Sequence, residues 1–128
     1  RYDSVIGRRY IETAILVAAR EMDQQYEWSF HEGAALQEGA PQLTVDAIKF
    51  HRGTEGLEDK DRLIIQYGRE LLRDHHLQQS TWMQANALFG AQGALEIAAI
   101  IGDYLLAAVL LTAVDQQLPE DRPALLPE

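Results

Sequence analysis

The stretch from Ala94 to Val114 limits what this chain can fold into more than any other. It is 21 residues of almost unbroken apolar sequence, interrupted by two carboxylates, Glu96 and Asp103. As a helix it would extend about 30 Å, long enough to cross a bilayer. A carboxylate at bilayer depth is costly, and two of them favour a soluble helix buried on most of its sides over a membrane span. A domain of 128 residues encloses about one core. A helix apolar almost all round in so small a domain also implies burial against another subunit, so a homo-oligomer is expected.

The rest of the chain reads as helices too. From Arg9, the residues Ile11, Ile15, Ala18, Ala19 and Met22 recur at three and four spacing, and Asp23-Gln24-Gln25 interrupts them. A second helix is predicted from Tyr26 to about Gln37, stopped by Gly39-Ala40-Pro41. Thr44 is the expected N-cap of a short helix through Phe50. A longer one is expected from Glu58 to His76, acidic at its start and basic at its end. Its buried stripe would be Ile64, Tyr67, Gly68, Leu71 and Leu72. Ser80 would cap a helix over Thr81–Phe89, and Gly90 would separate it from the apolar stretch. No strand-like alternation and no internal repeat appears, so the fold class is all-α, with about six helices in one domain over residues 1–128. Residues 1–8 and 119–128 are expected to be loose tails.

Composition narrows the function classes. The formal net charge is −9 and the basic residues are scattered. Nucleic acid and anionic membrane surfaces, which need basic patches, are therefore not expected partners. The absence of cysteine removes disulfides, thiol nucleophiles and zinc–thiolate sites. No charged-then-apolar segment opens the printed sequence, and a cytoplasmic location is the expectation. There is no glycine-rich phosphate loop, serine nucleophile elbow or dinucleotide fingerprint. Di-iron bundles repeat a Glu-x-x-His from two helices, whereas this chain has a single Glu-x3-His, so no metal and no cofactor is expected.

The titratable residues worth attention fall between Glu12 and His31. Glu27 and His31 lie four apart, on one helical face one turn from each other. A return of the chain across the break at Asp23–Gln25 would bring Glu12 against them. One reading is general acid/base chemistry, in which the carboxylate orients the imidazole and fixes its tautomer. The other is a surface ion pair, with Glu12 a first-turn acid answering the helix dipole. Arg20 reads either as a carboxylate clamp for an acidic substrate or as a structural partner of Glu12 or Glu27. Glu96 and Asp103, seven apart on one stripe, either line a pocket or pair with arginines of a neighbour. His51, His75 and His76 read as solvated helix ends.

Glu12 with Ala14-Ile15-Leu16-Val17-Ala18, then Tyr26-Glu27-Trp28, then His31 with Ala34-Ala35-Leu36 and Gly39, resemble the carboxymuconolactone decarboxylase / AhpD-like family of small helical proteins. Leu88-Phe89-Gly90, the run Glu96–Gly102 and Tyr104 are similar to that family's C-terminal half. Its peroxidase-type members carry Glu-x11-Cys-x2-Cys-x3-His. Here Glu12 and His31 match the acid and the histidine, while Gln24 and Glu27 stand at the two cysteine positions, so thiol peroxidase chemistry is disfavoured. The decarboxylase-type members also place an acid four before the histidine. That resemblance implies cofactor-free decarboxylation of a small acidic cyclic or lactone substrate, as in aromatic compound catabolism. His31 would be the proton donor, Glu27 its orienting partner and Glu12 a second relay acid, with Trp28, Arg20 and Tyr26 contacting substrate. It further implies an AhpD-like bundle assembled as a trimer or hexamer; longer members carry a helical segment before the point that matches residue 1, which would contribute part of the pocket or interface. The chain departs from the established lactone decarboxylases in lacking a Gly-Val-Pro-Ala-type segment. It departs from the broader branch at Asp103, where an aromatic residue is usual. The competing expectation is a non-catalytic oligomeric scaffold of the same fold.

Overall fold

A computed structural model describes residues 4–127. Among them there is no strand, and five α-helices follow one another: α1 (Arg8–Glu21), α2 (Gln25–Gln37), α3 (Gln42–Lys49), α4 (Asp59–Arg69) and α5 (Gln79–Ala113). A π-helical turn, Glu70–Asp74, continues α4, so the helix expected to reach His76 loosens from Glu70 onward. The count is five when Gln79–Ala113 is taken as one element; Gly90, in a non-helical conformation (φ 78°, ψ 166°), divides it into two helical runs, at the place where the sequence separates Thr81–Phe89 from the apolar stretch.

The central element is α1, not the apolar stretch. All nine residues from Ile11 to Ala19 are buried, and α2, α3, α4 and α5 all pack on it. Small residues permit this. Ala14, Ala18 and Ala19 are fully enclosed. On α4, Gly68 sits so close to Val17 that a Cβ there would lie 2.3 Å from Val17 Cγ1. Leu63, Ile64, Ile65 and Tyr67 fill the α4 side of the core, while Leu71 and Leu72, expected in the stripe, are only half-buried.

By contrast, α5 is long and apolar enough to cross a membrane, yet only 28% of its most apolar stretch is buried. Leu95, Leu106, Val109, Leu110 and Val114 are exposed. The expectation of a helix buried on most sides is therefore wrong within one chain. Its apolar residues run all round the helix, and α1 and α4 can cover only one side.

Polar groups clamp the helices at fixed points. Thr44 does not cap α3; Pro41 occupies that place, and the Thr44 hydroxyl instead donates to Asp61 Oδ2 (2.8 Å). Arg9 donates to the same oxygen (2.6 Å) and to Glu58 (2.9 Å), tying α1, α3 and α4 together. Ser80 does not cap α5 either; the cap position is Gln78. The buried Glu70 carboxylate accepts from the Gln78 N–H (2.9 Å) and the Thr81 hydroxyl (2.7 Å), which fastens the π turn to the start of α5.

Both expected loose tails are docked where they are described. The Ser4 hydroxyl and the Val5 N–H donate to the Glu96 carboxylate, and Ile6 is buried. Glu96 thus holds the N-terminal segment and, among the described residues, pairs with no arginine, while Asp103 is exposed. At the other end, the Leu126 backbone and the Gln25 carboxamide exchange two hydrogen bonds (2.8 and 3.1 Å), and the Leu125 N–H donates to Ser29 (3.0 Å). Leu126 is buried, and Arg122 lies 3.8 Å over the Phe30 ring. Proline keeps this segment extended without keeping it free. Residues 1–3 and 128 of the two tails lie outside the described residues.

Candidate functional site

The site is made by the turn between α1 and α2. Met22 ends α1, Asp23 takes a left-handed backbone (φ 48°), and Gln24 caps α2 by accepting from the Glu27 N–H (3.2 Å). This short reversal lays α2 back along α1 and places His31 opposite Glu12. Both Glu12 oxygens reach His31 Nδ1, at 3.0 and 3.1 Å. An ionised carboxylate only accepts, so Nδ1 carries the proton in that pairing and Nε2 is left as the basic nitrogen. The Tyr104 ring of α5 meets the imidazole edge-to-face, with centroids 5.4 Å apart, and steadies it from the other side. The His31 side chain keeps 25% of its surface in contact with solvent, enough to exchange protons, whereas that of Glu12 keeps 10%.

Glu27 behaves differently from the expectation. It makes no hydrogen bond to His31, whose orienting partner is Glu12. Glu27 is buried, and its Oε1 has no hydrogen-bond partner. Burial pushes its carboxyl up to about 7, against the opposing pull of the His31 imidazole. The reason is geometric. Four residues along a helix give adjacency, and Glu12 arrives from α1 on the side where Nδ1 points, so the imidazole is satisfied before Glu27 can reach it.

The three expected substrate contacts do not gather around His31. Trp28 is fully buried and donates its indole N–H to Glu32 (2.8 Å), so it is a core residue. Arg20 donates to the Lys49 carbonyl (2.8 Å) and pairs with Asp23, and is a partner of neither Glu12 nor Glu27. Tyr26 stacks on Phe30 at 4.7 Å and lines a cavity of about 560 Å³ with Gln24, Gln25, Thr112 and Arg122. Glu12, Glu27 and His31 are not among that cavity's lining residues. Tyr104 is the contact that the site reading missed. It stood out in the sequence through its place in the apolar stretch and its likeness to the family's C-terminal half, and neither says anything of its neighbour 73 positions earlier.

Among the described residues, no three His, Asp or Glu side chains converge as a metal-ligand set. Compared with protein-family models, with curated proteins and with solved structures, the chain matches none. What the site can do therefore has to be argued from its own groups: an imidazole of fixed orientation, a carboxylate that holds it, and a second carboxyl poised to change protonation near neutrality.

Proposed function

We propose that this protein is a cofactor-independent acid/base enzyme, a carboxy-lyase acting on a small acidic cyclic or lactone substrate. One observation carries the reading: His31 is held through Nδ1 by Glu12 and lies within electrostatic reach of a buried carboxyl that titrates near pH 7. In such a reaction the bond to the departing carboxylate breaks and its electron pair passes into a conjugated carbonyl. The resulting enolate takes a proton on carbon. His31, oriented through Nδ1 by Glu12, supplies that proton from Nε2, and water restores it. Glu27 serves as the nearby proton reserve, exchanging the orienting role first expected of it with Glu12. The spacing likeness to the carboxymuconolactone decarboxylase family supports the substrate class and a trimeric or hexameric assembly.

Carbon dioxide release from carboxymuconolactone-like acids tests this directly. The parent protein should turn over, His31→Ala should lose at least about a hundredfold as the proton donor goes, and Glu12→Gln should lose activity with its fold intact. Equal release by all three would remove the assigned roles.

The exposed apolar residues of α5 favour a second reading, in which the chain is a non-catalytic oligomeric scaffold. An assembled protein with no turnover of any lactone acid would point there.

A further inference from the structure

Five charged or titratable side chains surround the far end of α3, away from Glu12 and His31. Two cavities of about 340 and 460 Å³ share Arg20, Asp23 and His51; the first adds Glu21 and Arg73, and the second Gln25, Leu126 and Pro127. Among the described residues, no hydrogen bond or ion pair joins this cluster to Glu12, Glu27 or His31. We propose that it is a binding site for a small oxyanion, a carboxylate or a phosphate, received by Arg20 and the His51 imidazole.

The hydrogen bonds show which donors are left over. Arg73 grips Glu21 with two of them (2.6 and 2.7 Å) and donates another to His51 Nδ1 (3.0 Å). Nδ1 is thereby an acceptor, so the ring proton sits on Nε2, which has no acceptor among the described residues. Arg20 spends Nε on the Lys49 carbonyl and Nη1 on Asp23, and its Nη2 has no acceptor among the described residues. Arg69 donates to the Arg52 and Ala47 carbonyls (2.8 and 3.0 Å) and, among the described residues, forms no ion pair, although the Glu21 charge reaches it. Burial, and then Arg20, Arg73 and Arg69, hold His51 below its ordinary range, against Glu21 alone. In a chain of net charge −9, three guanidinium groups thus gather beside open space, answered by Glu21, Asp23 and Asp74, with unused N–H donors facing it.

Asp23 is the placeholder. Its side chain is 72% exposed and pairs with Arg20 three residues away, a surface arrangement of small worth that an incoming anion can replace. A carboxylate or phosphate seated there would take the N–H groups of Arg20 Nη2 and His51 Nε2, both charge-assisted or charge-aided donors.

Titration with inorganic phosphate and with acetate, at constant ionic strength and pH 7.5, following the ring protons of His51 by NMR, tests the proposal. A saturable His51 shift with either anion is expected, with the exposed His75 and His76 unmoved; the two arms distinguish a dianion site from a carboxylate site. Arg20→Gln should weaken binding about tenfold, the usual loss for a charged hydrogen bond. Asp23→Asn, which keeps a residue at ease with a left-handed backbone, should tighten it about two- to fivefold by removing the competing charge. Should Arg20→Gln fail to fold, Asp23→Asn decides alone. No saturable shift with either anion, or equal dissociation constants for the parent and Asp23→Asn, would overturn the site.

Discussion

Replacing Glu27 with glutamine keeps the size of the side chain and removes its charge. Folded Glu27 binds its proton more tightly than the unfolded chain does, since burial lifts it from the ordinary 4.5 to about 7. Stability from this group is thus fully present below about pH 4.5 and falls as pH rises towards 7. It levels off above that, where the folded protein must hold an ionised carboxylate whose Oε1 has no partner. At about 1.4 kcal/mol for each tenfold change in acidity, the loss amounts to about 3 kcal/mol. Only 4% of Glu27 is exposed, so solvent screening does little to reduce it. Glu27→Gln carries no such penalty. Above pH 8 the variant should therefore be more stable than the parent by up to about 3 kcal/mol, roughly 10 °C in melting temperature for a chain of this size. Near pH 4.5 the two should melt together. Thermal melts at half-unit steps from pH 4.5 to 8.5 measure the difference. A gap between parent and variant that stays constant across that range would mean that Glu27 titrates as an ordinary carboxylate, and the proton-reserve argument would go with it. The same variant, more stable yet slower in carbon dioxide release, would be the signature of a site that holds strain for chemistry.

Two further outcomes follow from the packing. Gly68→Ala places a methyl 2.3 Å from Val17 Cγ1 in the enclosed core and should cost about 1–3 kcal/mol in urea unfolding, with Val17→Ala in the same chain restoring part of it. Ending the chain after Leu118 removes the docked segment and exposes the surface under Leu126; about 1–2 kcal/mol should be lost once the entropy of the freed tail is counted, and an unchanged midpoint would show that the segment is not bound in solution.

Much of the helical plan was legible because its signals are local. The apolar spacing after Arg9, the break at Asp23–Gln25 and the stop at Gly39–Pro41 each act over a few residues, and α1 and α2 form there with ends shifted by only a residue. The short break also dictated that α2 must turn back on α1, and with it that Glu12 meets His31. Capping residues were less legible. Thr44 and Ser80 have the right chemistry for N-caps, but Asp61 takes the Thr44 hydroxyl, and Glu70 serves the start of α5 from another element.

What the chain's own order of residues determined, then, is the all-α class, the positions of α1 to α3 and the meeting of Glu12 with His31. Tertiary structure alone decided which helix lies at the centre, which acid orients the imidazole, where Arg20 spends its donors, and that the C-terminal segment lies down on α2. Local pattern says how apolar a segment is and which of its faces agree. Burial depends on partners that arrive from dozens of residues away, and the small side chains of α1 admit them from every side while α5 leaves much of its apolar surface uncovered.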